Sequence, residues 1–553
     1  MTVAEAIFKA IKIREIDFVF CVPGESFLAT MDSFCGSLQP LLVSARHEEG
    51  AGIMAEAYAK ASSKTGVCMV TRGPGLTHLT IALHTAKQDS TPLVVFVGQV
   101  PTNLRQRESF QELDIVEFTR PVAKWAVELN RADRVAEIVD KAFHIANSGR
   151  PGPVVISLPE DIDRSSTAQH SVWRSSTVGI PSLSTKGVAK AVSMIEDAER
   201  PCIVAGEGIL RVDATDKLIR FAECLGAPVF TAWRRFDTFP NKHPLYMGGL
   251  NLSSVSNDLS EPLKNADLII AIGTRLDEFT TLSYSSPSTE QKLIHIDQSP
   301  EETGGSWIGA DLALVADAGE AMDKLEEALK NSKRAKPSKA RQKQIADWSE
   351  YFRRRTTPRS NRIGLKDGTI DLEGVYHDIL NILTDDASIT CDAGDFGSWL
   401  IRYYKWNQPH TFFGPTTGAM GYALPAAIAA KLARPQAPAV AFAGDGGFAM
   451  TMSELETAVR MNLDSLVVLV FNNNNYGTIS RHQNREFPGR PVGTGLGTIE
   501  FSAIAKAMGA EGFKVSKNVE FSEAFNAALN VGCPAVIDIT VGGNSLDPWD
   551  DNN

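Results

Sequence analysis

Strand-length apolar runs alternate with helix-length stretches along this sequence, and that rhythm restricts the fold more than any other feature. Phe18-Val19-Phe20-Cys21-Val22, Val67-Cys68-Met69-Val70 and Leu93-Val94-Val95-Phe96-Val97 are apolar throughout. Such runs mark strands buried on both faces, and the stretches between them are long enough for the crossovers that parallel pairing requires. The predicted fold class is α/β, with three domains each built on a mostly parallel sheet flanked by helices. A chain of 553 residues is too long for a single core and suits three domains of ordinary size. The first block, 1–165, closes on the strand Pro153–Pro159, and a polar Ser/Thr-rich stretch from Asp163 to Ser184 reads as a linker. The second, 186–333, has strands at Cys202–Ala205, Leu268–Ile272 and Leu293–Ile296, and the basic run Lys330–Lys343 after it reads as a solvated linker. The third spans 366–545.

Composition narrows the partners. A net charge of −11 argues against nucleic acid and against an acidic membrane surface. No run of eighteen apolar residues is present, so no membrane span is expected. The N-terminus lacks the basic-then-apolar pattern of a signal peptide, and the polar tail Asp547–Asn553 carries no targeting signal. Seven scattered cysteines without a CxxC pair support neither a zinc site nor a disulfide framework, so a reducing, cytoplasmic setting is expected.

The strongest chemical signal lies in the third block. The strand Ala439–Ala443 is broken by Gly444-Asp445-Gly446-Gly447, and Ser453 with Glu456 forms a capping-box pattern opening a helix to about Asn462. The strand Leu466–Phe471 then delivers Asn472-Asn473-Asn474-Asn475-Tyr476-Gly477. This is one βαβ unit with two neighbouring strand ends, the place where open parallel sheets bind ligands. The residue types suit a diphosphate held through Mg²⁺, which takes oxygen ligands in near-octahedral array. Asp445 offers a carboxylate, Asn473 an amide oxygen and the loop near Asn475 a carbonyl. The glycines let phosphate approach the backbone. Either motif alone would fit an ordinary turn; the pair on one unit points to a cofactor.

Gly444-Asp445-Gly446 followed by Asn472-Asn473 is similar to the signature of thiamine-diphosphate enzymes. Matching on Gly477 favours Asn473 as the metal ligand, with Asn472 the alternative. The resemblance implies pyrimidine-binding, central and diphosphate-binding domains in that order. It makes Arg46-His47-Glu48-Glu49-Gly50-Ala51-Gly52 the segment carrying the acid that activates the cofactor, with Glu48 at the matching position. Gly24, Thr71, Gly418, Tyr476 and Gly477 fall at cofactor-binding positions, and Met420 falls where a large apolar side chain bends the cofactor. Met420 also reads as a core gap-filler. Because Glu48 and the clamp lie in different blocks, the family arrangement implies active sites between subunits of a homodimer or homotetramer.

Within the family the resemblance is greatest to the acetohydroxyacid synthase branch, on Thr71-Arg72-Gly73-Pro74-Gly75, Asp89-Ser90-Thr91-Pro92-Leu93, Gly98-Gln99-Val100, Ser109-Phe110-Gln111-Glu112 and Gly418-Ala419-Met420-Gly421. That branch decarboxylates a 2-oxo acid and joins the product to a second carbonyl compound. Phe110 and Gln111 match positions lining its substrate channel. The chain departs from it at His482, where the anabolic synthases place a tryptophan; His482 reads equally as a substrate contact or a surface residue. The histidines of the simple decarboxylases are missing, including one at the position of Thr71, which favours ligation over protonation. Glu25 could supply a proton instead, or be a plain loop carboxylate. The segment Gly273-Thr274-Arg275-Leu276-Asp277-Glu278 matches only part of the FAD-flanking segment, so FAD has weak support. Alternative readings are a lyase or acyltransferase using a 2-hydroxyacyl thioester or sulfoacetaldehyde, or a simple 2-oxo acid decarboxylase. Glu48 and Asp445 both being present argues against a non-catalytic binding module.

Overall fold

Burial on both faces leaves each apolar run only one environment, the middle layer of a helix–sheet–helix sandwich. The computed structural model describes residues 1–167, 179–251, 258–304, 309–330, 332, 337–361, 363–365, 368–542 and 548. Among these the strands form three six-stranded sheets, parallel at every recorded pairing, so the expected fold class holds. The first contains β1 (Phe18–Cys21), β2 (Leu41–Ser44), β3 (Gly66–Val70), β4 (Leu93–Gln99), β5 (Trp125–Glu128) and β6 (Pro153–Pro159), in the order β2-β1-β3-β4-β6-β5. The second contains β7 (Pro201–Ala205), β8 (Val229–Thr231), β9 (Tyr246–Gly249), β10 (Leu268–Ile272), β11 (Lys292–Asp297) and β12 (Leu312–Val315), in the order β12-β11-β10-β7-β8-β9. The third contains β13 (Ser388–Cys391), β14 (Phe412–Phe413), β15 (Ala439–Gly444), β16 (Leu466–Asn472), β17 (Glu511–Val515) and β18 (Ala535–Thr540), in the order β14-β13-β15-β16-β18-β17. The first and third sheets therefore share one topology and the second has another.

Each order contains two neighbouring strands whose connections leave in opposite directions, opening a crevice at their carboxyl ends. These crevices lie between β1 and β3, between β7 and β10, and between β13 and β15.

The first and third sheets share a core. Helix Glu48–Ser62 packs against helix Ala423–Ala433, and small residues on both (Gly50, Ala51, Ala55; Ala426, Ala427, Ala430) allow the close approach. A buried polar network crosses the seam. Glu56, fully buried, accepts hydrogen bonds from Thr91 Oγ1 and Tyr422 Oη, each at 2.7 Å, and pairs with Lys60 at 2.7 Å. Lys60 also pairs with Asp89, which accepts the Thr416 N–H at 2.9 Å.

Glu454 is the second tie. Its buried carboxylate accepts the N–H groups of Arg46 and His47 at 3.1 and 3.0 Å, holding the segment that leads into Glu48. Glu454→Ala would orphan both donors and is expected to cost about 3 kcal/mol, seen as a lower midpoint in urea denaturation.

The capping box at Ser453 and Glu456 does not form. Helix Asp445–Thr451 starts directly on the glycine turn and runs almost into helix Glu454–Arg460, so Ser453 already has helical dihedrals and its side chain makes no capping bond. Glu456 is drawn instead to Arg46 Nε at 2.6 Å, across the domain seam. The second half of the basic run Lys330–Lys343 likewise belongs to helix Lys339–Arg355 rather than to a linker. Residues 168–178 of the Ser/Thr-rich stretch, 331 and 333–336 of the basic run, and all of the C-terminal tail except Pro548 lie outside the described residues. No helix among the described residues is long and apolar enough to cross a membrane.

Candidate active site

The crevice between β13 and β15 opens into a cavity of about 280 Å³. Gly444, Asp445, Gly446 and Gly447 line it from the end of β15, Asn473, Asn475, Tyr476 and Gly477 from the end of β16, and Gly418 and Met420 from the loop after β14. All ten are cofactor-binding candidates from the sequence, and the fold brings them together. Register explains the meeting of the two motifs: Gly444 pairs with Phe471, so the residues following each strand emerge side by side.

Asp445 is 6% exposed. Burial pushes its carboxyl above the usual range, opposed by the backbone N–H groups of Gly446, Asn474 and Asn475. Among the described residues no basic side chain pairs with it. The Asn473 Oδ1 accepts the Asn475 N–H at 3.0 Å, and the Asn475 carbonyl accepts the Gly477 N–H at 2.8 Å, leaving each oxygen a further lone pair. The Asn475 Oδ1 is buried without a hydrogen-bond partner. Asn472 is committed elsewhere: its amide donates to Asp538 at 3.0 Å and to the Ile499 carbonyl at 3.2 Å, and it does not line the cavity. A buried carboxylate without a cation, beside neutral oxygens with spare lone pairs, fits a hard divalent ion such as Mg²⁺. The glycines answer to the packing of the walls and to the turn of the backbone. At Gly447 a Cβ would sit 2.4 Å from Asp392 Oδ2, and at Gly418, with φ +69°, nothing lies within 4 Å.

Sequence reasoning missed the other wall. Asp392-Ala393-Gly394-Asp395 follows β13, and Ala393, Gly394, Asp395 and Phe396 line the cavity. Asp395 accepts from Thr478 Oγ1 at 2.9 Å and pairs with Arg481 at 2.7 Å, anchoring helix Gly477–Glu486 over the opening. Asp392 is buried, and desolvation raises its carboxyl to about 7.

The crevice between β1 and β3 gathers the first-block candidates. Gly24 packs on Thr71, where a Cβ would lie 2.6 Å from Thr71 Cβ, and Thr71 Oγ1 is 2.8 Å from Ser26 Oγ. Glu48 opens its helix, where the dipole favours a carboxylate. One carboxylate oxygen is 2.9 Å from His78 Nδ1, and a Cβ on Gly75 would lie 3.5 Å from the other. The His78 ring stacks on His47 at 4.6 Å. Burial, and then His78 beside it, lowers the His47 imidazole. Glu49 is turned toward the third domain, and burial followed by Glu454 raises its carboxyl. Glu25 pairs with the buried guanidinium of Arg72 at 3.0 Å, and Arg72 also binds Glu160 at 3.1 Å. The loop carrying Phe110 and Gln111 is held by Glu112, which accepts the Gln106 N–H at 2.7 Å, and it docks through Gly73 N–H to Gln111 O at 3.0 Å. Phe110 is 73% exposed.

Within one chain these two groups stay apart: no first-block residue lines the clamp cavity. His482 stands exposed on helix Gly477–Glu486, 3.0 Å from Arg485, and lines neither group. The third crevice, between β7 and β10, differs in kind. Gly208 N–H bonds to Gly273 O at 2.9 Å, and Arg150–Glu302 and Arg235–Glu207 ion pairs fill the space, leaving about 50 Å³.

Domain descriptions of one family match all three parts of the chain: the thiamine pyrophosphate enzyme N-terminal TPP binding domain over residues 1–118, the central domain over 188–325 and the C-terminal TPP binding domain over 392–539. The chain belongs to the thiamine pyrophosphate enzymes. It is similar to a probable acetolactate synthase large subunit of Methanococcus aeolicus, 30% identical over 99% of this chain and 93% of that protein. It is also similar to the acetolactate synthase large subunit of Corynebacterium glutamicum (32% identical, 98% of this chain, 87% of that one) and to an acetolactate synthase of Mycobacterium bovis (32%, 99% and 89%). Among thiamine pyrophosphate enzymes, then, this one is acetolactate synthase-like.

Proposed function

We propose that this chain is a thiamine-diphosphate- and Mg²⁺-dependent carboligase that decarboxylates a 2-oxo acid and joins the remaining acyl unit to a second carbonyl compound. The observation that carries the reading is Asp445, a buried carboxylate with only backbone N–H partners, at a strand-end crevice beside Asn473 and Asn475. Asp445, the Asn473 amide oxygen and the Asn475 carbonyl hold the metal, and Gly444, Gly446 and Gly447 admit the diphosphate. Bound thiamine diphosphate supplies a nucleophilic carbon and an electron sink for the pair released when CO₂ leaves. Met420 supports the bend of the cofactor, and Gly24 and Thr71 give its pyrimidine ring a flat, small-residue seat. Glu48 holds a proton at a pyrimidine nitrogen. Phe110 and Gln111 line the substrate approach, and Glu25 is oriented by Arg72 for proton delivery.

In this reading residues 1–165 form the pyrimidine-binding domain, 186–333 the central domain and 366–545 the diphosphate-binding domain. The separation of the Glu48 crevice from the clamp in one chain, together with the exposure of Phe110, supports a site completed by a second copy, in a homodimer or homotetramer. Seven unpaired thiols fit a cytoplasmic setting.

Mixing pyruvate, Mg²⁺ and thiamine diphosphate with the enzyme is expected to release one CO₂ for each acetolactate formed, followed by CO₂ trapping and colorimetric assay. Release of CO₂ without acetolactate would assign a simple decarboxylase. Neither product from a panel of 2-oxo acids would refute the donor class and favour the thioester or sulfoacetaldehyde alternatives.

A further inference from the structure

A cavity of about 410 Å³ lies between the central and third folds, sharing no residue with the clamp. Tyr246, Phe352, Leu380 and Leu383 give it apolar walls, and Tyr404 and Lys405, just past helix Asp395–Tyr403, complete it. Its size is that of a small-molecule site.

Two polar side chains of its wall, Lys405 and Tyr404, keep hydrogen-bonding capacity to spare. The Lys405 ammonium lies 3.4 Å from the Arg402 carbonyl and 5.1 Å from the Phe352 ring centroid, and among the described residues no carboxylate is within ion-pair range. Tyr404 is 5% exposed, and its ring centroid lies 4.9 Å from that of Trp406. The acid in the wall is already engaged: Asp385 binds Lys242 at 3.4 Å and Asn407 at 2.9 Å. A half-buried ammonium without a counter-ion is disfavoured, and an incoming anion would supply one.

We propose that this cavity is a second ligand site, taking a small organic monocarboxylate with an apolar body, whose carboxylate is held by Lys405 and Tyr404. Arg353 and Lys242 at the edge add positive charge.

Burial, and then Arg402, push Lys405 down to about 7. The other charged or titratable groups lining the cavity are His243, Arg353, Lys242, Asp385 and the Tyr246 and Tyr404 hydroxyls. The anion binds the charged amine, so above that value Lys405 must take up a proton on binding, and affinity falls about tenfold per pH unit. His243, an imidazole of the same wall, is paired with Glu223 at 3.2 Å, and a lysine variant separates its contribution from that of Lys405.

The test is calorimetric titration of the Mg²⁺–thiamine diphosphate holoenzyme with phenylacetate and with the neutral phenylacetamide, at pH 6 and pH 8. One phenylacetate per chain is expected, at least tenfold tighter than phenylacetamide and at least tenfold tighter at pH 6 than at pH 8. Lys405→Met should abolish both preferences, leave pyruvate turnover unchanged and not lower Tm, and Tyr404→Phe should weaken binding severalfold. The absence of saturable binding would overturn the site. So would phenylacetate binding that survives Lys405→Met unchanged, because it would then lie elsewhere, or a pH dependence that survives it, because His243 would then be responsible.

Discussion

Glu48→Gln is expected to lower kcat by about 100- to 10,000-fold, the range for loss of one positioned proton-transfer group, while thiamine diphosphate still binds. Glutamine keeps the volume and one hydrogen-bonding oxygen of Glu48, so the contact with His78 and the start of helix Glu48–Ser62 survive. What it cannot do is carry an exchangeable proton to a ring nitrogen. In the proposed function cofactor affinity rests chiefly on the clamp, whose cavity contains no residue of the first sheet. The two measurements therefore separate: steady-state turnover collapses, while quenching of tryptophan fluorescence by thiamine diphosphate and Mg²⁺ keeps its midpoint. Unchanged kcat would remove Glu48 from the chemistry, and a collapse of both would make it a structural residue.

What could be read in the sequence depended on how local each signal was. Asp445 and Asn473 were legible because each follows directly on an apolar strand, and their chemistry needs no third segment to be recognised. Asp392 to Asp395 carry an equally good turn, but its importance depends on β13 lying beside β15, an adjacency set by sheet order and invisible to any window of sequence. Glu48 came from resemblance, since a glutamate at a helix start is ordinary in itself. Ser453 and Glu456 show the reverse failure. The local pattern is a good capping box, but Glu456 finds Arg46, more than four hundred residues away, and tertiary contact overrides it. Lys405 sits in Arg402-Tyr403-Tyr404-Lys405-Trp406, where no local pattern marks it; only the packing of Phe352 against its ammonium shows a half-buried cation in a cavity wall.

The clamp should respond to substitution in a way that distinguishes a metal ligand from a structural acid. Burial raises the Asp445 carboxyl above its ordinary value, so the fold disfavours its charged form when no metal is bound. The sign follows: relative to the unfolded chain, the charged form is penalised above the ordinary carboxylate pKa, and that penalty disappears as pH falls through both values. Asp445→Asn removes the charge at nearly constant shape, so the cofactor-free variant is expected to melt at or slightly above the parent. Holoenzyme should show the opposite. At a cofactor concentration 100 times Kd the parent gains about 2.7 kcal/mol from binding, whereas the variant, its metal carboxylate gone, is expected to gain almost nothing at the same concentration. Thermal melts with and without Mg²⁺ and thiamine diphosphate should therefore cross, the variant equal or higher when empty and clearly lower when loaded. Apparent cofactor affinity of the parent should also weaken as pH drops through the raised Asp445 value, because the metal binds only the carboxylate. A variant that melts lower in both states would make Asp445 a structural acid, and one still stabilised fully by Mg²⁺ and thiamine diphosphate would place the metal on other oxygens.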